Sequence, residues 1–273
     1  DSPMAMVAQA VALPEKFVAP FTLGAPKDAD ASQIVIAAGM DVEDGVLKIA
    51  GRTFSFNPSI NQALVKSQQV FRPIQGDYVQ SMPDDAMAGI FMNVAGSRFL
   101  PLVQSNPGLQ TLLMGINASI DMDNILRSVD GDMSIVLPTL GADHMQMMMA
   151  ARLSHAKWLS DVDYWKQSCP KGSTIGNWKS NAFCYSSGKT CFYFGVTDDK
   201  QFFSGNDEVS AESSIRPSSH PISKRVQNMI RGEKMVMVIN LEKSGGGGSA
   251  MQAVTGLLSP LFGQLTAVVY TLK

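Results

Sequence analysis

The sequence predicts an α+β fold with a mostly antiparallel sheet and short helices packed on it. Apolar stretches of strand length alternate with short helical stretches, and tight turns join many of them. The order strand, glycine turn, helix, turn, strand also occurs twice, over residues 86–137 and 234–272. We therefore expect an architecture built from repeated strand-helix-strand units.

Length and charge narrow the class of protein. A chain of 273 residues can form one large domain or two lobes. Only 17% of the residues are charged, the formal net charge is −2 and no window is basic, so nucleic acid is not an expected partner. No apolar run reaches the roughly 18 residues of a membrane-spanning helix, so no transmembrane segment is expected.

The beginning of the chain has only a weak pattern. Residues 1–31 are interrupted by prolines, and the stretch Ala5–Leu13 predicts a short helix. Without an initiator Met or a signal peptide, the chain is interpreted as a fragment or mature form, and residues 1–31 as a lead-in or the tail of a preceding unit. The α+β domain then occupies residues 32–273, as one body or as lobes at about 32–153 and 154–273.

Local signals place the elements of the first half. Strands are predicted at Gln33–Met40, Val46–Ala50, Thr53–Phe56, Ala86–Ala95, Met133–Leu137 and His144–Leu153. Hairpin turns are predicted at Asp44-Gly45 and at Gly51-Arg52, and a further turn is predicted at Asp130-Gly131-Asp132, before the strand Met133–Leu137. Asn57-Pro58 predicts a helix start, because Asn is a good N-cap and Pro fits the first helical position. Asp123 is the expected cap of a short helix at Asn124–Val129.

The second half continues in the same style. Ser154 is expected to cap a helix with one apolar stripe, formed by Trp158, Leu159, Val162, Trp165 and Cys169. Strands are predicted at Phe183–Ser186, Thr190–Gly195, Lys200–Ser204, Lys234–Leu241 and Gln264–Leu272. The polar stretch Asn206–Ser219 has no period and predicts a mobile surface loop. Helices are predicted after Pro221 and at Met251–Leu258.

The hairpin of Phe183–Ser186 and Thr190–Gly195 predicts a pair of cysteines. With a loop of either Ser187-Gly188 or Ser186–Lys189 the register is the same, and it sets Phe183 opposite Phe192, Cys184 opposite Cys191 and Tyr185 opposite Thr190. Cys184 and Cys191 are thus expected to be close enough for a disulfide in an oxidising compartment. Cys169 is expected to be a buried free thiol.

None of the candidate motifs for catalysis, metal binding or cofactor binding is complete in the sequence. The aspartates Asp121, Asp123, Asp130 and Asp132 lack calcium-loop spacing and are interpreted as caps and turns. Gly245–Gly248 lacks the residues of a phosphate loop and is interpreted as a flexible connection, native or an engineered linker. The histidines, His144, His155 and His220, have neither metal-ligand spacing nor a nucleophile context. We expect no catalytic residue, no metal and no cofactor.

Aromatic residues are the one anomaly of composition. Eleven of the 21 aromatic residues lie between residues 158 and 203, and most of them fit a local core. Two remain as candidate exposed ligand contacts: Trp178, in the sequence GNWKSN, and Tyr193, which is on the opposite face of its strand from Phe192 and Phe194. Aromatic surfaces of this kind can stack against sugars or apolar ligands.

Four runs of sequence carry a resemblance to a known family. MPDDAMAGIFMNVAG, LRSVDGDMSIVLP, CFYFGVTDDKQFFSG and LFGQLTAVVYTLK resemble the Bacteroidetes family called domain of unknown function 4836. The likeness covers roughly residues 30–273, as the C-terminal part of longer, exported and often lipid-anchored proteins. It implies a place in the cell envelope, periplasmic or surface-exposed, with any lipid anchor in a segment absent here. The family brings no established activity and no catalytic residues.

Two function classes follow. The first is a non-catalytic envelope protein, either structural or binding a glycan or an envelope protein. The second is a hydrolase that acts on envelope or dietary polymers through paired carboxylates. A shallow groove rimmed by aromatic residues favours binding. A pocket with two facing carboxylates of raised pKa favours the enzyme.

Overall fold

The protein is built on one twelve-stranded sheet. The computed structural model describes residues 4–12, 22–106, 110, 119–138, 146–241 and 266–272. In the described part every pair of neighbouring strands is antiparallel except β3 and β12, which run parallel. The α+β class with a mostly antiparallel sheet and short helices is therefore confirmed.

The elements have the following bounds. The strands are β1 Met4–Gln9, β2 Ile34–Glu43, β3 Val46–Ser55, β4 Ala88–Ala95, β5 Val129–Leu137, β6 Met148–Leu153, β7 Ser173–Lys179, β8 Ala182–Ser187, β9 Thr190–Val196, β10 Gln201–Gly205, β11 Met235–Asn240 and β12 Ala267–Leu272. The described α-helices are α1 Pro58–Gln68, α2 Gly96–Ser105, α3 Met122–Arg127, α4 Val162–Ser168, α5 Glu208–Ser213 and α6 Lys224–Ile230. The strand order across the sheet is β1-β2-β3-β12-β11-β4-β5-β6-β10-β9-β8-β7.

This order interleaves the two halves of the chain. Strands β11 and β12 lie between β3 and β4, and β6 pairs with β10. The sheet therefore crosses the lobe boundary predicted near residue 153 without a break. Strand β1 forms the sheet edge next to β2, where the sequence predicted a short helix at Ala5–Leu13. Pairing with β2 outweighs the weak helical preference of this alanine-rich stretch.

Two of the three predicted turns lie within strands instead. The turn at Asp44-Gly45 is confirmed, with positive φ angles of 50° and 76°. Gly51-Arg52, however, lies inside the unbroken β3. A side chain at Gly51 would put its Cβ 2.8 Å from the ring of Tyr270, so this glycine makes room for a neighbour and does not turn the chain. Asp130-Gly131-Asp132 is likewise part of β5.

Of the two helix caps predicted at Asn57 and Asp123, the structure has the first, and a neighbouring residue takes the place of the second. Asn57 is confirmed as the cap of α1, since its side chain accepts from the backbone N–H groups of Ser59 and Ile60. Asp121, and not Asp123, caps α3 by accepting from the N–H of Asn124. The stretch predicted as a mobile loop contains the short helix α5, which Asp207 caps.

The two predicted repeat units each keep a pair of neighbouring strands. Strands β4 and β5 pair in the sheet, and so do β11 and β12. The helix predicted at Met251–Leu258 lies outside the described residues, so the similarity of the two units stays a prediction.

The sheet has a layer of chain on each face. On the first face α2, α3 and α4 bury a large apolar core, which includes Trp158 and Trp165. On the second face, Ile74, Val79 and Met82 pack with α6 against β4, β5 and β11. Farther along this second face α5 lies on β10, so close that a Cβ on Gly205 would be 2.4 Å from the backbone N of Ala211.

The carboxylate of Asp132 fixes the chain that covers the centre of the second face. Its oxygens accept from the backbone N–H groups of Gln75 at 2.9 Å, Gly76 at 2.6 Å and Asp77 at 2.9 Å. The side-chain amide of Asn93, directly opposite on β4, donates to it at 2.8 Å. Asp132 is only 3% exposed, so these donors replace the water that a buried carboxylate loses.

Glycine is required in this loop. Gly76 has a φ of +100°, a conformation that places its N–H beside those of its neighbours, all directed at the carboxylate. A Cβ there would lie 2.5 Å from Nε of Arg231. The loop and Asp132 therefore form one unit.

Replacing Asp132 with Ala is expected to lower the free energy of unfolding by on the order of 3 kcal/mol, because several buried donors lose their acceptor. Denaturant unfolding followed by circular dichroism measures this. Asp130→Ala is the matched control, since Asp130 pairs with Arg72 at a half-exposed site and its loss costs less than about 1 kcal/mol. Equal losses for the two variants would contradict the role of Asp132.

Candidate functional site

The last strands of the sheet form two consecutive hairpins. Strand β7 pairs with β8, and β8 pairs with β9 around the two-residue loop Gly188-Lys189. The observed register sets Phe183 opposite Phe194, Cys184 opposite Tyr193 and Ser186 opposite Cys191. The predicted register is wrong by two residues, because the loop lies one position later than Ser187-Gly188 and the strands extend to Ser187 and Thr190.

Strand β7 was not predicted from the sequence. Its residues, STIGNWK, place one large apolar side chain on each face, Ile175 on the first and Trp178 on the second. The sequence marks only the two ends of this strand. Gly172 precedes it, and Asn181, with a φ of +53°, turns the chain into β8.

The four candidate site residues predicted from the sequence lie together on the second face of this hairpin sheet. They are Trp178, Tyr193, Cys184 and Cys191. Residues directly opposite each other in a sheet share a face, as do residues two apart along a strand. On this rule one surface carries Thr174, Gly176, Trp178, Cys184, Ser186, Cys191 and Tyr193. We call it the open face, because these side chains are half-buried or exposed, whereas Ile175, Tyr185 and Phe192 on the other side are buried.

The open face has a wall and a low floor. The rings of Trp178 and Tyr193 meet edge to face with centroids 5.1 Å apart, and Phe203 lies 6.2 Å from Trp178. Beside them, Gly176 has no atom within 4 Å of the position that a Cβ would occupy. The surface next to the aromatic wall is therefore shallow and open, with hydroxyl and thiol groups on its floor.

A charged pair borders the wall. Nζ of Lys179 lies 4.7 Å from the ring centroid of Trp178, and the same ammonium pairs with the carboxylate of Glu212 on α5. The cation is held over the aromatic ring by its attraction to the ring electrons. This contact fixes the orientation of Trp178.

The thiols of Cys184 and Cys191 flank one hydroxyl group. Oγ of Ser186 lies 3.6 Å from Sγ of Cys184 and 3.8 Å from Sγ of Cys191. The two cysteines are diagonal neighbours, not opposite ones as predicted, and both are free thiols. Cys169 is also free, but it is half-buried just beyond the end of α4 and packs on the core of the first face.

Tyr193 is coupled to Cys184. The hydrogen bond between its hydroxyl and the Cys184 sulfur raises the pKa of Tyr193 to about 12, and the negative charges of Cys184 and Glu208, with partial burial, add to this. Thiols in general ionise before phenols, so a thiolate beside the ring favours the protonated, donating form of the tyrosine. The phenol remains a hydrogen-bond donor over the whole physiological range.

Most of the remaining aromatic residues of this region are core, as predicted. Trp158 stacks on Trp165 with centroids 6.1 Å apart, and Phe192 stacks on Phe194 at 5.7 Å. All four are buried. Tyr164 is different: it projects from α4 with 69% of its surface exposed.

The acidic residues near the sheet centre are occupied. Besides Asp132, Asp130 pairs with Arg72, while Asp77 and Asp199 share Arg152. A hydrogen bond from the Thr197 hydroxyl lowers the pKa of Asp199, which is the wrong direction for a general acid. The interpretation of the aspartate cluster as caps and turns is thus incomplete, since Asp132 anchors a loop.

The other predicted motifs contribute little to a site. His155 and His220 contact the backbone N–H of Lys157 and the hydroxyl of Ser219. His144 and Gly245–Gly248 lie outside the described residues. Among the residues that the structure describes, no three His, Cys, Asp or Glu side chains come together as metal ligands. None of the described helices is long and apolar enough to cross a membrane.

One further concavity lies elsewhere. A pocket of about 180 Å³ separates the segment 22–34 from the end of α2. Small residues and Lys27 make up most of its lining, with Ser105 and Asn106 on the far side. Ligand pockets are commonly larger, about 300–1,000 Å³. Because this pocket is smaller than that range, the open face is the stronger candidate.

The fold defines the class as an α+β protein with one large, mostly antiparallel sheet and few short helices. The family model described as "Domain of unknown function (DUF4836)" matches residues 1–231, so the chain belongs to that family. The match includes the residues predicted as a lead-in. No curated protein matches the sequence.

Solved structures of TP0453 resemble the chain weakly. Crystal form III has a TM-score of 0.40 and 14% identity, covering 70% of each chain. Crystal form IV has a TM-score of 0.40 and 13% identity, and the match covers 73% of this chain and 72% of that one. Crystal form I has a TM-score of 0.41 and 12% identity, and the match covers 70% of this chain and 69% of that one. At these values the similarity carries no conclusion about function.

Replacing Cys184 with Ala is expected to lower the pKa of Tyr193 from about 12 towards the ordinary value of about 10, because the largest cause of the shift is removed. Alkaline absorbance titrations of Cys184→Ala and Cys184→Ala/Tyr193→Phe isolate this residue by difference. The wild type and Tyr193→Phe give the reference. Cys191→Ala is the control, since Cys191 contributes least. An unchanged pKa in Cys184→Ala contradicts the coupling.

The raised pKa of Tyr193 also determines how the free energy of unfolding changes with pH. The folded state holds the Tyr193 proton more tightly than the unfolded chain, so the associated stabilisation is fully present below about pH 10. It is lost as the pH rises towards about 12. Tyr193→Phe is therefore expected to flatten the alkaline decline of the free energy of unfolding.

Proposed function

We propose that this chain is a non-catalytic binding protein of the cell envelope and that the open face contacts its ligand, a glycan. The observation that carries the proposal is the meeting of Trp178 and Tyr193 at the side of a shallow, hydroxyl-lined floor. An aromatic ring covers the apolar face of a sugar, while the hydroxyls of Ser186 and Thr174 can exchange hydrogen bonds with those of the sugar.

The geometry supports binding over catalysis. A glycosidase needs two carboxyl groups about 5–10 Å apart across the scissile bond. Two carboxylates near the open face are Glu208, which acts on Tyr193 at a distance, and Glu212, which is paired with Lys179 and Arg216. The alternative function, a hydrolase of envelope or dietary polymers, has no particular arrangement of described residues in its favour.

The location in the envelope rests on the family resemblance. The proposal includes export to the periplasm or the cell surface and a lipid anchor in a segment outside this chain. Cell fractionation with an antibody against the chain tests the location, and labelling with a radioactive fatty acid tests the anchor. An envelope protein partner is the second kind of ligand that such a location allows.

Two architectural proposals accompany it. We infer that residues 86–137 and 234–272 are related strand-helix-strand units, and that residues 32–273 form one α+β domain, to whose sheet the segment 1–31 adds β1. The paired strands β4–β5 and β11–β12 support the first. An experimental structure that includes residues 242–265 tests it, since a unit without a helix in that interval is not a repeat.

Trp178→Ala is expected to weaken binding of a glycan by at least tenfold, because the aromatic wall loses its larger ring. A screen of the purified chain on an array of envelope and dietary glycans finds the ligand, and calorimetry with the best binder measures the affinity. Tyr164→Ala is the matched control, since this exposed aromatic side chain lies on α4, which packs on the first face.

Two results contradict the proposal. One is an array without a single bound glycan. The other is a bound glycan whose affinity is the same for the wild type and for Trp178→Ala, with circular dichroism showing both folded. Release of sugar products on incubation, abolished by replacing one Asp or Glu, establishes the hydrolase instead.

A further inference from the structure

The geometry points to a second property of the open face: Cys184 and Cys191 form a site for one soft, two-coordinate metal cation such as Cu(I) or Ag(I). This inference does not depend on the glycan, because the ligands of the cation are the two thiols of the floor.

The backbone presents both thiols to the same space. Cys184 is on β8 and Cys191 on β9, one diagonal step apart on one face, and diagonal neighbours remain within side-chain reach. Both sulfur atoms already lie within 4 Å of a single atom, Oγ of Ser186. Linear coordination with metal–sulfur bonds of about 2.3 Å needs the sulfurs roughly 4.6 Å apart. Diagonal neighbours lie about 7–8 Å apart, so the site requires that rotation of the two half-buried side chains bring the sulfurs to this distance.

The surroundings suit two thiolates. The hydroxyl of Ser186 lies within 4 Å of both sulfurs, and Tyr193 is directly opposite Cys184 in the sheet. Hydrogen bonds from such donors stabilise a charged sulfur and orient it. Binding follows the balance of one cation plus two thiols giving a bis-thiolate complex and two protons, so the affinity falls as the pH is lowered.

The ligand set selects the metal. Thiolates are soft ligands, which prefer Cu(I) over Mg²⁺ or Ca²⁺. Zn²⁺ requires about four ligands in a tetrahedron, and the described residues place no third His, Cys, Asp or Glu beside the pair. A site of two sulfurs on an open surface therefore discriminates by coordination number.

The test uses Ag(I), which has the same preference and undergoes no redox reaction under these conditions. In a Cys169→Ser background the chain is expected to bind one Ag(I), measured by competition with a chromophoric chelator. Cys184→Ser and Cys191→Ser, each added to that background, are expected to lose at least a hundredfold in affinity. Zn²⁺ is expected to bind at least a hundredfold more weakly than Ag(I).

A second readout locates the ion. Ag(I) is expected to quench the fluorescence of Trp178, whose ring contacts Tyr193, while Trp178→Phe keeps the affinity and loses the response. Circular dichroism establishes that each variant is folded before titration. A loss below tenfold in either cysteine variant overturns the site. Equal affinity for Zn²⁺, or dimerisation of the chain upon adding Ag(I) in size-exclusion chromatography, also overturns it.

Discussion

The buried carboxylate of Asp132 is the constraint on which the centre of the molecule depends. It lies in the middle of a twelve-stranded sheet and accepts from three consecutive backbone N–H groups, those of residues 75–77. A covering segment without regular structure would leave those groups unsatisfied against an apolar sheet. One charge thus lets a loop, rather than a helix, close the second face over β4 and β5. The same loop is also joined to the turn that precedes β11, because Ile74 exchanges backbone hydrogen bonds with residues 232 and 233.

The cover of the second face changes from strand to strand, and this decides where a ligand has access. The loop anchored by Asp132 and helix α6 cover the centre, and α5 covers β10 with Gly205 as its close contact. Over β7–β9 the surface consists of small residues beside two aromatic rings. On the first face the same strands are sealed by Trp158 and its neighbours. The hairpins are therefore held rigidly from behind, and the open face presents fixed groups.

Local chemistry could be predicted from the sequence, and long-range partners could not. Asn57 and Asp44-Gly45 act through residues next to them, so their roles as cap and turn are confirmed. Asp132 looks like a turn residue in isolation, because the loop that needs its charge is more than fifty positions away. Trp178 and Tyr193 can be recognised in the sequence as candidate contacts, because they do not share the core pattern of most of the neighbouring aromatic residues. That they touch depends on β7, whose mixed composition gives no strand signal.

The register error has a physical lesson for the thiol pair. In a hairpin, a shift of two residues keeps every side chain on its face but changes its partner from opposite to diagonal. Cys184 and Cys191 therefore remain on the same face as predicted, yet Tyr193 and Ser186 replace them as direct partners. Each of those partners brings a hydroxyl group next to sulfur. The arrangement thus separates the two thiols by a hydrogen-bond donor, which favours two thiolates that share a cation over two sulfurs in direct contact.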